Sequence, residues 1–244
     1  MNNYNKILKH VKVIVTICIV IAIMIYPISR EKAFANSKPI IKSSINLNDI
    51  PEYQGKSFVV VNNNKPTFKS KDVVPVSYES YGALDDLGRC TTASACIGIE
   101  LMPTEPRESL GNVVPTGWHT IKYDCVEGKY LYNRCHLLGY QLTGENANRY
   151  NLITGTRYMN VNGMLQFEEM VADYIKETRN HVMYRVTPVF EGENLVASGV
   201  QMEAKSVEDN GSGISFNVFV YNVQPGIIID YSNGESCIDE EYFN

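Results

Sequence analysis

The apolar residues of this chain fall into blocks that differ in period. Residues 13–26 form a nearly unbroken apolar run of fourteen, short of the ~20 that a membrane-spanning helix needs. Residues 58–61 (Phe-Val-Val-Val) read as a buried strand, closed by the turn-forming cluster Asn62-Asn63-Asn64-Lys65-Pro66. Residues 69–120 keep no sustained period and are rich in Gly, Pro, Ser and Thr, which predicts loops and short elements. Lys129-Tyr130-Leu131-Tyr132 predicts a strand running into Asn133-Arg134-Cys135-His136, with a loop following through Gly144 to Asn148. From about Asn160, Met164, Phe167, Val171, Tyr174, Ile175 and Thr178 recur at spacings of three and four, the signature of an amphipathic helix ending near Arg179-Asn180. Four strand-like stretches follow at 182–190, 195–205, 214–221 and 227–231, with turns at 191–194 and 209–212. Strands, a helix, then strands, with no repeated βαβ unit, predict an α+β fold: a central, mainly antiparallel sheet with flanking helices.

The first apolar run looks like part of an export signal. Lys6, Lys9 and Lys12 precede it, and Ala33-Phe34-Ala35 supplies a small-x-small cleavage pattern. The expected organisation is a signal peptide at 1–35, a flexible lead-in at 36–55 and one domain at 56–244, secreted. An uncleaved anchor with the body facing outside is the alternative. Residues 1–35 hold five positive charges and one negative, so their loss would take the formal charge from −5 to −9. An acidic protein does not coat polyanions unspecifically, so any nucleic-acid chemistry requires cations gathered locally around a cleft. Of six cysteines, Cys18 lies in the signal segment, and Cys90, Cys96, Cys125, Cys135 and Cys237 remain. At most two bridges can form among these five, and the absence of a Cys-x-x-Cys pair argues against structural zinc.

Three histidines follow residue 35. His181 sits at a helix end, where a cation suits the dipole. His119, after Trp118, is open to packing or substrate contact. His136 ends a strand, follows an arginine and precedes Asn146, Asn148, Asn151, Asn160 and Asn162. A neutral imidazole can take a proton from water near neutral pH. A hard divalent cation needs few protein oxygens, so one asparagine amide is adequate for magnesium.

Asn133-Arg134-Cys135-His136-Leu137-Leu138-Gly139-Tyr140, followed by Asn151-Leu152-Ile153-Thr154-Gly155-Thr156-Arg157-Tyr158-Met159-Asn160, resembles the DNA/RNA non-specific endonucleases. The likeness runs from about residue 103 to 190. It implies a ββα-metal motif and a Mg2+- or Mn2+-dependent endonuclease that leaves 5′-phosphate and 3′-hydroxyl ends. By that resemblance His136 is the general base and Asn160 the metal ligand. Glu168 is a helix carboxylate that orders water, and Asn133 and Asn151 support the site. Arg107, Arg134 and Arg157 bind or neutralise phosphate. The implied partner is DNA or RNA, with no stable protein partner. The chain departs from the family pattern at Asn133, where aspartate is usual, and Cys135, where glycine is usual.

Each assignment has a plainer counterpart. Asn160 can be a helix N-cap, Glu168 an exposed helix charge and Arg134 half of an ion pair. A thiol hydrolase using Cys135 with His136 is disfavoured because neighbours on a strand face opposite sides. A non-catalytic nucleic-acid binder on the same scaffold is the other alternative.

Overall fold

The computed structural model describes residues 45–243. The expected export signal and its cleavage site lie outside the described residues. The described residues contain ten strands. They are β1 (Phe58–Val60), β2 (Tyr78–Tyr81), β3 (Ala93–Ile97), β4 (Tyr132–His136), β5 (Leu152–Thr156), β6 (Val182–Val189), β7 (Gly199–Ser206), β8 (Ser215–Tyr221), β9 (Ile227–Ile229) and β10 (Ser236–Ile238). Two α-helices accompany them, the short α1 (Tyr140–Thr143) and the long α2 (Leu165–Thr178), the latter entered through a π-helical turn at Met159–Met164. The main sheet has six strands in the order β1-β8-β7-β6-β3-β2, and every pairing is antiparallel. β4 and β5 form a separate antiparallel ribbon, as do β9 and β10. This is the expected α+β architecture.

Alternation divides the main sheet into two buried faces. Val182, Tyr184 and Val186 of β6, with Val200, Met202 and Ala204 of β7, point into the core shared with α2. From α2, Phe167, Val171, Ala172 and Ile175 close on them, three of these four positions following the i, i+4 spacing seen in the sequence. Phe167 packs edge-on to Phe58, with ring centroids 4.9 Å apart. On the opposite face Arg185 stands across from Glu203 in the β6–β7 register, and both are buried. Arg185 Nε donates to Glu203 Oε2 at 2.8 Å, while Glu203 Oε1 accepts from the Thr67 amide at 2.8 Å and its hydroxyl at 2.9 Å. The Arg185 guanidinium also lies 4.8 Å from the Phe68 ring centroid. This network fastens the polar stretch around Thr67 across the back of the sheet.

The β4–β5 ribbon is clipped to the sheet by one buried asparagine. Asn222 Oδ1 accepts from the Thr156 amide at 2.8 Å, and its Nδ2 donates to the carbonyls of Thr154 at 3.1 Å and Ala197 at 2.9 Å. Gly163 lets the π-helical turn approach β8, because a Cβ there would stand 2.3 Å from Val220 Cγ1.

Several sequence expectations are corrected. β1 is an edge strand with Val60 more than half exposed, so the apolar run marks pairing with β8 and not full burial. Ala93–Ile97, within the stretch expected to be loops, is an interior strand between β6 and β2, built from small side chains with a weak apolar signal. The predicted strand at 129–132 lies later. Lys129 has φ +68° and belongs to a turn, and the ladder starts at Tyr132. β5 follows the expected loop at 144–148, in residues to which the periodicity assigned no element. Tyr53, in the stretch expected to be a lead-in, packs edge-on against Tyr158 and Tyr221. The five described cysteines are free, with Cys90, Cys96 and Cys135 buried and Cys125 and Cys237 exposed.

Candidate active site

A cleft of about 630 Å3 opens where β4, the end of β5, the π-helical turn and the loop before β4 meet. Its lining includes Arg107, Asn133, Arg134, His136, Arg157, Asn160 and Glu168. Seven of the eight residues singled out from the sequence therefore share one cavity. The eighth, Asn151, is buried behind it. Its side chain accepts from the Leu138 amide at 2.8 Å and donates to the Leu138 carbonyl at 3.0 Å. The Asn151 carbonyl also accepts from the Leu137 amide at 2.8 Å. Asn151 thus fixes the backbone immediately after His136.

His136 ends β4 and is buried except toward the cleft. Nε2 lies 2.8 Å from the Asn146 carbonyl oxygen, which can only accept, so Nε2 carries the proton. The lone pair is then on Nδ1, 3.3 Å from Arg107 NH2, which donates to it. Desolvation and the nearby Arg107 push the imidazole down to about 4, against the Asn146 hydrogen bond that favours the charged form. The ring is therefore neutral well below pH 6.5.

Glu168 faces the same cleft. Burial raises its carboxyl to about 7, opposed by a 3.4 Å hydrogen bond from Gln141 and by Arg107. The space around it exists because residue 139 is glycine, since a Cβ there would meet Glu168 Oε2 at 2.5 Å. Glu168 is thus no ordinary surface charge. His136 and Glu168 also make opposite contributions to stability against pH. Between about 6.5 and 4 the unfolded chain binds a proton on His136 that the fold resists, so stability falls as pH falls. Between about 4.5 and 7 the fold retains a proton on Glu168 that the unfolded chain releases, so stability falls as pH rises. Relative to wild type in metal-free buffer, Glu168→Gln should gain stability as pH rises from 4.5 to 7. His136→Asn should gain as pH falls from 6.5 to 4, by up to about 3 kcal/mol. Calorimetric melting across that range tests both, and parallel pH profiles for variant and wild type would contradict the shifts.

Asn160 is not an N-cap. It sits inside the π-helical turn, so the eight-residue spacing to Glu168 does not follow α-helical rotation. Its Nδ2 donates to Asn133 Oδ1 at 3.1 Å, and no described residue donates to its Oδ1. Asn133 therefore keeps the acceptor role that an aspartate would have there, without the charge. Cys135 is accommodated too. It is not among the positive-φ residues of the chain, and its sulfur fills the space left by Gly155. Buried on the strand face opposite His136, with its thiol pushed far up by desolvation, it cannot act as a nucleophile at neutral pH.

Among the described residues Arg134 has no ion-pair partner. Its Nε donates to the Val113 carbonyl at 2.5 Å, and the guanidinium lies 4.2 Å from the Trp118 ring centroid. Arg157 reaches Glu127 only at 3.8 Å. Arg107 rides on a loop held to α1 by the Tyr140 hydroxyl, which donates to the Glu105 carbonyl at 2.7 Å. Three arginines and one carboxylate line the cleft, the local concentration of cations that an acidic chain needs. The other two histidines stand outside it. His119 bonds the Asn233 carbonyl at 3.1 Å, and His181 pairs with Glu208 at 2.6 Å rather than capping a helix. Sequence reading assigned no individual role to Gly139, Gln141 or Asn146. The first acts by lacking a side chain and the last through its carbonyl, so neither leaves a side-chain signal.

A family model described as DNA/RNA non-specific endonuclease matches residues 69–208, more than half of the chain. Among solved structures, the magnesium-bound crystal structure of NucA from Streptococcus agalactiae aligns with a TM-score of 0.68 and 25% identity. It covers 79% of this chain and 92% of that one. The Sda1 nuclease with bound zinc aligns with a TM-score of 0.62 and 26% identity, over 75% of this chain and 97% of that one. An extracellular endonuclease at 21% identity, with a TM-score of 0.55, shares the fold.

Proposed function

The chain belongs to the DNA/RNA non-specific endonuclease family, and from that premise we propose that it cuts phosphodiester bonds with His136 as general base and one divalent cation at Asn160. It is a nuclease, and nucleic acid is its substrate. The observation that carries the mechanism is the tautomer of His136. With Nε2–H committed to the Asn146 carbonyl, Nδ1 is the basic atom and faces the cleft. Nδ1 takes the proton of the attacking water, and the Asn146 carbonyl stabilises the imidazolium that results. Arg107 already lies against Nδ1, so it is placed to meet the phosphate as negative charge develops. Arg134 and Arg157 hold the strand through its phosphates.

The residues fit a hard cation. Asn160 spends its amide N–H on Asn133 and offers its oxygen, and the Glu168 carboxylate shares the cleft. Among the described residues no three His, Cys, Asp or Glu side chains converge as a closed cage. Magnesium or manganese, which keep several waters, suit so few protein oxygens. When bound, such an ion neutralises the phosphate and the departing oxygen. Glu168 orders the solvent around it.

Asn160→Ala should lower the rate at least about tenfold and raise the magnesium concentration needed for half-maximal cleavage. An unchanged magnesium titration would remove Asn160 as ligand. Asn133→Asp, which can only accept, should fix the Asn160 oxygen toward the cleft and tighten magnesium binding about fivefold. Looser binding in that variant would contradict the hydrogen-bond assignment. A wild type that binds nucleic acid without cutting it in magnesium would favour the non-catalytic alternative. Export is proposed on the composition of residues 1–35. Among the described residues no helix is long and apolar enough to cross a membrane.

A further inference from the structure

The cleft extends beyond its catalytic end along a wall that the chemistry above does not use. Tyr130 and Thr120 line it, together with Trp118. Tyr130 and Lys122 face each other across an isolated antiparallel bridge, closed by the turn at Gly128 and Lys129, both with positive φ. The next residue, Leu131, is fully buried against Val126, Tyr132 and Ile227, which anchors the bridge from beneath. Tyr130 is turned outward and is 47% exposed. Lys122 Nζ stands 4.5 Å from its ring centroid. Trp118 and Arg134 repeat the arrangement closer to His136. Tyr132, between them in sequence, is buried with its hydroxyl donating to the Gly234 carbonyl, so it offers no open ring.

An open aromatic ring backed by a cation, in a cleft that also holds three arginines, matches how single strands are held without sequence preference: the cation attracts the backbone and the ring stacks on a base. A duplex keeps its bases inside its own stack and has none to offer. Tyr130 lies six positions before His136, a span of at most about 22 Å, so the stacked base belongs to a nucleotide flanking the cut. Resting on the nuclease reading above, we propose that Tyr130 with Lys122 is a stacking subsite for an unpaired base, favouring single-stranded stretches of DNA or RNA.

The test compares wild type, Tyr130→Ala and Tyr130→Phe in the full chain. One labelled oligonucleotide is used as a single strand and as a duplex. Fluorescence anisotropy in EDTA reads affinity, and cleavage in magnesium reads kinetics. Tyr130→Ala should weaken single-strand binding about 5- to 100-fold, the worth of one base–aromatic stack. It should raise the single-strand KM with little change in kcat and leave duplex binding unaltered. Tyr130→Phe, which keeps the ring, should behave as wild type. Equal losses on both substrate forms, or no loss on the single strand, would overturn the proposal. A wild type that cuts neither form would overturn the nuclease mechanism instead, while the binding comparison still decides the subsite.

Discussion

Plasmid cleavage by His136→Ala should fall by roughly 10²–10⁴-fold, the usual worth of a positioned general base. The fold should survive, because the ring contributes one hydrogen bond to the Asn146 carbonyl and borders an open cleft on its other side. Far-ultraviolet circular dichroism and metal binding should stay close to wild type, and added imidazole should restore part of the rate. Asn146 cannot be tested in the same way, since it acts through its backbone. The decisive comparison is kcat at saturating magnesium. A variant within a few-fold of wild type would show that another group takes the proton.

The second large effect concerns stability, on the opposite face of the sheet. Glu203→Ala should destabilise the protein by about 3–5 kcal/mol, because it strands a buried guanidinium without its counter-charge. Arg185 would retain the Thr67 hydroxyl and the Phe68 ring as neighbours, neither of which neutralises it. The Thr67 amide and hydroxyl would also lose their acceptor. Replacing both partners, with Arg185→Met and Glu203→Leu, should recover most of the loss, since paired apolar side chains owe no desolvation cost. Urea unfolding of the single and double variants measures the difference. A single-variant loss below about 1 kcal/mol would mean that water reaches the pair. The folded fraction of either variant should cut nucleic acid at the wild-type rate, because the cleft lies on the other side of the sheet.

Asn133 and Cys135 show how a departing motif can keep its local geometry. At 133 the side chain accepts from the Asn160 amide, a role that a carboxamide can fill and that a carboxylate would fill without a competing donor. At 135 the backbone is ordinary extended strand, so glycine's freedom is not required. Neither point could be read from residue types alone, because one depends on where the π-helical turn places Asn160 and the other on the backbone conformation at 135.

The residue pattern was enough to establish the antiparallel sheet and the long helix, while the expectation that His136 and Asn160 share a cleft came from the family resemblance. Periods of two and of three to four record which side of a strand or helix meets the core, and that information is local. It failed where the local signal was thin: the small residues of β3, the ribbon partner β5, and the π-helical turn that re-aims Asn160. Which imidazole nitrogen is basic, how far His136 and Glu168 are shifted, and how an acidic chain gathers three arginines in one cleft were settled by packing. Desolvation and charge depend on neighbours far apart in the chain, such as Arg107 beside His136, and such neighbours exist only once the chain has folded.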